Sequence, residues 1–181
     1  MTAFLLAPWL GKRGNKPRVA AIAVLMGAIV LTLPYWLRFA GVAPSVGDPL
    51  AIPLVIVCAV TGTAFNITGF ILGASMMADV VEDSEIRTGR RQEGVFFAGA
   101  FFVQKCTSGL GILVASMIVA AAGLSDKIAP GTAPEAALDR LGNLYMVGYL
   151  TSAIIAAYVF TRFPFGRAEH EARVIKLATT S

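Results

Sequence analysis

A charged stretch between two long apolar segments contains the residue types most capable of chemistry. Residues 78–94, "ADVVEDSEIRTGRRQEG", carry eight charges of both signs in seventeen positions. The carboxylates crowd the end of the preceding segment, where a helix macrodipole is already negative, so they repel one another unless cations lie nearby. The candidate charge-lock residues are Asp79, Glu82, Asp83, Arg87, Arg91 and Glu93.

Two interpretations of this stretch stay open. It is either an ordinary solvated loop or an ion-pair lock that ties helix ends together in one conformational state and releases them in another. Further cations are available for a lock in the basic segment before the first apolar stretch, which contains Lys12, Arg13, Lys16 and Arg18.

A single lysine, Lys105, lies in an otherwise apolar segment, eleven residues beyond Gly94. A rise of about 1.5 Å per residue places it roughly 16 Å along a helix. A charge at that depth costs about 2.5–3.5 kcal/mol. Lys105 either snorkels back toward the nearer surface or faces a polar cavity, where it pairs with a carboxylate or a substrate. The other apolar segments contain no acidic residue, so the cavity interpretation requires water, substrate or another polypeptide segment as its partner.

The second apolar segment has a row of small and polar residues on one helical face. Gly62, Asn66, Gly69 and Gly73 follow one another at spacings of four, three and four, which aligns them along a helix. Small residues let a second helix approach closely. Asn66 then either hydrogen-bonds across helices or contacts a solute, and it is the second candidate for a cavity-lining residue.

Four apolar segments must position these residues. The chain is 56% hydrophobic and 14% charged, whereas soluble domains carry about 25% charged residues. A span needs about 20 apolar residues and must be helical, because lipid satisfies no backbone polar group. The sequence predicts an all-α polytopic transmembrane helical bundle in one region, residues 1–181. The expected spans are residues 19–37, 50–78, 95–124 and 141–161, with a loop over 79–94 and a tail over 162–181.

The basic residues predict the orientation of the bundle. Eleven of them fall on the side of the two termini and the charged stretch, and three fall on the other side. Cytoplasmic loops carry the excess of Lys and Arg, so both termini and the 79–94 loop are expected in the cytoplasm, with the spans in the inner (plasma) membrane. The net charge of +4 follows from the same bias, and no nucleic-acid partner is expected.

Enzyme, metal and cofactor chemistry find no support in the sequence. The two cysteines, Cys58 and Cys106, fall inside predicted spans, and the one histidine, His170, falls in the charged tail. No Ser/Lys, Asp/Asp or His-rich pairing occurs at membrane depth, and proton transfer needs a second titratable group within reach of the first. We expect no enzyme activity, no bound metal and no cofactor.

The stretch "ADVVEDSEIRTGRRQEGVFFAGAFFVQK" resembles the signature of the glycoside–pentoside–hexuronide:cation symporters, the melibiose-permease branch of the major facilitator superfamily. That signature joins Ala-Asp at a helix end, an acidic pair, Thr-Gly-x-Arg-x-Glu-Gly and a lysine in the next helix. Where the family often has Asp-Tyr, this chain has Glu82-Asp83. The matching residues are Ala78, Asp79, Thr88, Gly89, Arg91, Glu93, Gly94 and Lys105.

The resemblance implies a fold and a function. The segment "GKRGNKPR" looks like the basic loop between helices eight and nine of that twelve-helix fold, and "MTAFLLAPWL" like the end of helix eight. The four spans then correspond to helices nine to twelve. The chain is expected to be the carboxy-terminal part of a sugar carrier that works by alternating access with Na⁺ or H⁺, incomplete without an amino-terminal half. Its expected partners are lipid, that half and a small solute.

A second hypothesis is a self-contained four-helix membrane protein that acts as a homo-oligomer, either a small exporter or a scaffold. It accounts for the initiating methionine and the consistent set of spans. The apolar stub at the amino terminus and the unpaired Lys105 favour the carrier hypothesis instead.

The cavity interpretation of Lys105 makes a prediction for the full-length carrier. The substitution Lys105→Met should cripple transport and leave membrane insertion intact, because it removes the cation and keeps the side chain's length. Uptake assays on cells with matched amounts of carrier in the membrane measure this. Normal uptake would assign Lys105 to snorkelling.

Overall fold

The residues that the structure describes form a bundle of four helices. The computed structural model describes residues 15–44, 48–124 and 134–163. Each helix is long and apolar enough to cross a membrane, and the described residues contain no strand. The predicted all-α transmembrane bundle is therefore confirmed. The helices are α1 (Lys16–Phe39), α2 (Ala51–Thr88), α3 (Glu93–Ala121) and α4 (Glu135–Thr161).

Helix α2 continues well past the predicted membrane boundary, so the prediction of a loop over 79–94 is wrong for its first ten residues. An ion pair between Asp83 and Arg87, 2.9 Å apart and one turn apart along the helix, supports this extension. The helix ends where Gly89 adopts a left-handed conformation (φ 66°) and its N–H donates to the carbonyl of Glu85. The connection to α3 shortens to residues 89–92.

The other helix boundaries differ less from those expected. Helix α1 begins at Lys16, with Pro17 in its first turn, where the missing proline N–H costs nothing. Helix α4 begins at Glu135, six residues before the predicted span, because the stretch after Pro134 continues into the span without a break. The amino-terminal stub and nearly all of the predicted tail lie outside the described residues.

Helix α1 is the centre of the bundle and packs against both α2 and α4. The contact with α2 is close because glycines face each other. A Cβ atom on Gly62 would lie 2.5 Å from Leu31 Cγ, and a Cβ atom on Gly69 would lie 2.8 Å from Val24 Cγ2. Gly27 contributes the matching gap on α1, where a Cβ atom would lie 2.7 Å from Asn66 Nδ2. The small-residue face of α2 therefore packs on α1, as its spacing indicated.

The two ends of the bundle carry different contacts. At the first, which we call the Lys16 end, Phe160 of α4 packs on a buried cluster formed by Ala20, Leu72 and Met76. At the opposite, Arg38 end, the start of α4 meets the end of α1. The helices therefore alternate in direction, and Lys16 lies on the same side as the short connection between α2 and α3.

Helix α3 stands apart from this three-helix unit. None of its residues is buried, and large apolar side chains such as Phe102 and Ile112 are about 70% exposed. Uncovered apolar surface of this extent marks a face that contacts lipid or another protein segment.

The glycine contact between α1 and α2 predicts a sharp difference between two similar substitutions. Gly62→Ala should lower the thermal unfolding temperature of the solubilised chain, because the new methyl group overlaps Leu31, and overpacking costs about 1–3 kcal/mol. Gly148→Ala in α4 is the control, since nothing lies within 4 Å of its added Cβ. Circular dichroism measures both. Equal unfolding temperatures for the two variants would contradict the close α1–α2 contact.

Candidate functional site

A cavity of about 560 Å³ lies between α2 and α3, with one lining residue each from α1 and α4. This volume is within the range of small-molecule sites. Its wall is largely apolar, with four phenylalanines, and it contains two side-chain amides. The lining residues are Val24, Asn66, Gly69, Phe70, Gly73, Ala74, Met77, Phe97, Ala100, Phe101, Gln104 and Phe160.

Asn66 reaches the cavity from a junction of three helices. Its Nδ2 donates one hydrogen bond to the carbonyl of Gly62, one turn earlier in α2, at 3.0 Å. It donates a second to the hydroxyl of Tyr149 in α4, at 3.1 Å. Against α1, the amide lies so close to Gly27 that a Cβ atom there would force the amide to shift. Asn66 thus hydrogen-bonds across helices and also lies in the wall of the cavity, while its contact with a solute stays a prediction.

Gln104 is a cavity residue that sequence analysis missed. It lies on α3 directly before Lys105 and adds a second amide to the wall. An uncharged polar side chain in a membrane span is itself a signal of a position that faces protein or a cavity, and Gln104 has this signal. Two amides in an apolar wall can donate to and accept from hydroxyl groups while phenyl rings exclude water.

Lys105 does not line this cavity. Successive residues on a helix point about 100° apart, so Lys105 faces a different direction from Gln104. Its side chain is exposed, and no hydrogen bond or ion pair connects it to another residue in the described part of the chain. Its role as a substrate-cavity residue stays a prediction, and in that role its partner would come from outside the described residues.

The strongest ionic contact of the Lys16 end joins α1 to α2. Lys16 Nζ lies 2.9 and 3.0 Å from the two carboxylate oxygens of Asp79. The Asp79 side chain is only 16% exposed, so solvent screens this pair less than a surface pair. The cation that neutralises Asp79 thus comes from the basic segment before the first span and not from the arginines of the charged stretch.

The remaining lock candidates pair locally. Arg87 binds Asp83 within α2, and Arg91 binds Glu93 at 3.0 Å across the start of α3. The hydrogen bond to Glu93 raises the pKa of Arg91 above its ordinary value, which keeps it charged. Glu82 is exposed. These pairs hold the ends of single helices, and whether the cluster acts as a conformational lock stays a prediction.

A ladder of three tyrosines runs from the Arg38 end toward Asn66. Tyr35 and Tyr145 have ring centroids 5.4 Å apart, and Tyr145 stacks on Tyr149 at 5.5 Å with nearly parallel rings. A second cavity, of about 340 Å³, opens beside Tyr35 and Tyr145. At the end of the ladder, Arg38 Nε bonds Asp139 Oδ1 at 2.7 Å. No pattern in the sequence pointed to this ladder, because its rings come from two separate helices.

The Lys16–Asp79 pair predicts unequal effects of two similar substitutions. Asp79→Asn should destabilise the chain by about 1–3 kcal/mol, because it leaves a partly buried cation without its carboxylate. Asp139→Asn removes a pair whose side chains are 43% and 54% exposed and should cost less than about 1 kcal/mol. Thermal unfolding in detergent measures both. A larger loss for Asp139→Asn would contradict the assignment of Lys16–Asp79 as the stronger tie.

Comparison with known proteins places this sequence in a family. The family described as "MFS/sugar transport protein" matches residues 1–167. The chain is also 30% identical over 125 residues to a protein named isoprimeverose transporter from Lactiplantibacillus pentosus. That alignment covers 68% of this chain and 24% of the relative, so the chain spans about a quarter of the relative's length. No solved structure matches the chain.

The family match covers all of the described helices and both amides of the cavity, and it agrees with the resemblance noted in residues 78–105. A transporter built from membrane helices also agrees with four apolar helices around a small-molecule cavity. This chain belongs to the MFS/sugar transport protein family of the major facilitator superfamily.

Proposed function

We propose that the chain is the carboxy-terminal part of a secondary transporter that carries a sugar together with Na⁺ or H⁺. The cavity between α2 and α3 is the observation that carries this proposal, because it gives a sugar-transport family member a site of suitable size on two helices. In this proposal the carrier alternates access by rocking two helix bundles about a central site.

The chemistry of the cavity suits a sugar. A sugar presents hydroxyl groups around its rim and apolar C–H groups on its ring faces. The amides of Asn66 and Gln104 offer hydrogen bonds to hydroxyls, and the phenyl rings of Phe70, Phe97 and Phe101 offer apolar surface to a ring face. Few precisely placed polar groups in an apolar wall are typical of small-molecule sites.

The bare surface of α3 supports a shared site. Helix α3 forms one wall of the cavity and has no buried residue. Another segment is therefore needed to complete the site around it. We propose that the amino-terminal half of the carrier covers α3 and supplies the partner of Lys105. In this proposal the charge-lock residues Asp79, Glu82 and Arg91 help to hold one of the two alternating states, and the Lys16–Asp79 contact between α1 and α2 supports that role.

The proposed coupling ion and the proposed orientation are supported by the sequence alone. The proposal of Na⁺ or H⁺ coupling rests on the resemblance of residues 78–105 to cation symporters. The excess of Lys and Arg on the side of the Lys16 end supports a cytoplasmic location for that end, in the plasma membrane.

Isoprimeverose is the first probe to test, because the relative is named for it. Proteoliposomes with the 181-residue chain alone should not accumulate isoprimeverose under a Na⁺ or H⁺ gradient, whereas the carrier that combines this chain with an amino-terminal half should. The isolated chain supplies too few helices to form two bundles that rock against each other.

Two results would contradict this proposal. Gradient-driven accumulation by the isolated chain would favour the alternative, a self-contained homo-oligomer. Absence of accumulation by the combined carrier with isoprimeverose and with a panel of pentosides, hexosides and hexuronides would contradict a sugar substrate.

A further inference from the structure

Asn66 has a fully determined set of hydrogen-bond partners among the described residues. A primary amide has two N–H donors and one carbonyl acceptor. The donors bind the Gly62 carbonyl and the Tyr149 hydroxyl. No described residue donates to Oδ1, so the acceptor is the atom left for a bound molecule.

The Gly62 carbonyl favours the orientation of the Asn66 amide in which Nδ2 faces Gly62. A carbonyl oxygen only accepts hydrogen bonds. If the Asn66 amide were turned over, its own oxygen would face the Gly62 oxygen at about the same distance, and two acceptors would repel. Both the position in the structure and the chemistry of the carbonyl therefore identify the Asn66 atom near Gly62 as the nitrogen Nδ2.

The Tyr149 hydroxyl accepts the second hydrogen bond of the Asn66 amide. It takes the second N–H of Asn66 and so removes the last donor that this amide could turn toward the cavity. The ring of Tyr149 is held in place by stacking on Tyr145, with an interplanar angle of 9°. Tyr145 in turn contacts Tyr35 of α1. A hydroxyl on a ring that stacks on Tyr145, which itself contacts Tyr35, is a well-defined partner.

We propose that Tyr149 is a positioning residue for the sugar site: through its hydroxyl it makes Asn66 a pure hydrogen-bond acceptor toward the cavity. Asn66 then selects a hydroxyl that donates, and Tyr149 never touches the solute. This inference rests on the proposed function, because it takes the cavity between α2 and α3 to be the place where the sugar binds.

The first experiment tests the hydrogen bond itself and needs no sugar. The chain contains three asparagines, Asn15, Asn66 and Asn143, so labelling asparagine side chains with ¹⁵N gives three amide signals in lipid nanodiscs. The substitution Asn66→Leu identifies the signal of Asn66. In Tyr149→Phe, exchange of one Asn66 amide proton with water should rise about two- to tenfold, as expected for loss of one hydrogen bond.

Tyr145→Phe is the matched control. It removes a hydroxyl from the neighbouring ring of the same ladder and leaves the bond between Asn66 and Tyr149 in place. Its Asn66 exchange rates should equal those of the unmodified chain. Unchanged Asn66 exchange in Tyr149→Phe, with a folded spectrum, would overturn the positioning role.

The second experiment connects the positioning to binding. In the combined carrier, Tyr149→Phe should raise the KM for isoprimeverose about two- to tenfold with little change in kcat, because the affinity of one hydrogen bond weakens. Tyr145→Phe should leave KM unchanged. Equal KM values for both variants and the unmodified carrier would overturn the link to the site.

The two experiments separate failure of this inference from failure of the proposed function. A carrier that transports no sugar would contradict the proposed function and with it the assignment of the site. The amide spectrum would still decide whether Tyr149 fixes Asn66.

Discussion

The close contact between α1 and α2 is the constraint on which the rest of the structure depends. In lipid, helices gain little from burying apolar side chains, since lipid tails are equally apolar, so association depends on close packing and on hydrogen bonds between helices. Gly27 and Gly62 allow this approach. It brings Lys16 to Asp79 at one end of the bundle. The same close contact places the Asn66 amide between α1 and α4, where it donates a hydrogen bond to Tyr149.

The same constraint divides the chain into two parts with different roles. The unit of α1, α2 and α4 is held by glycine contacts, two ionic contacts and a tyrosine ladder. Helix α3 meets it mainly around a cavity and has no buried residue of its own. The unit of α1, α2 and α4 and the exposed helix α3 face each other across the cavity, which is compatible with the proposed alternating access. The amides lie one on each side: Asn66 on the three-helix unit and Gln104 on α3.

The sequence predicted the parts of this fold that depend on composition and period. Four long apolar stretches, of which one contains a single charge, Lys105, must be helices in lipid. Glycines at spacings of three and four must share a face, so the bundle and the role of Gly62 could be inferred. Asn66 could be identified because a polar side chain in a membrane span needs a hydrogen-bond partner or a polar ligand. The continuation of α2 to Thr88 was missed, because charges suggest a loop when their pairing is unknown. Gln104 and Tyr149 were missed for a different reason: their importance arises from neighbours on other helices, which no local pattern reveals.

The central claim is that the cavity between α2 and α3 binds the transported sugar. It is tested most directly by the alkylation rate of a thiol introduced by Gln104→Cys in the combined carrier, with the exposed Cys106 replaced by serine. Val114→Cys, on α3 outside the cavity lining, is the control. We predict that isoprimeverose slows alkylation at position 104 and leaves position 114 unchanged. Equal rates with and without sugar at position 104, at concentrations that saturate transport, would contradict the claim.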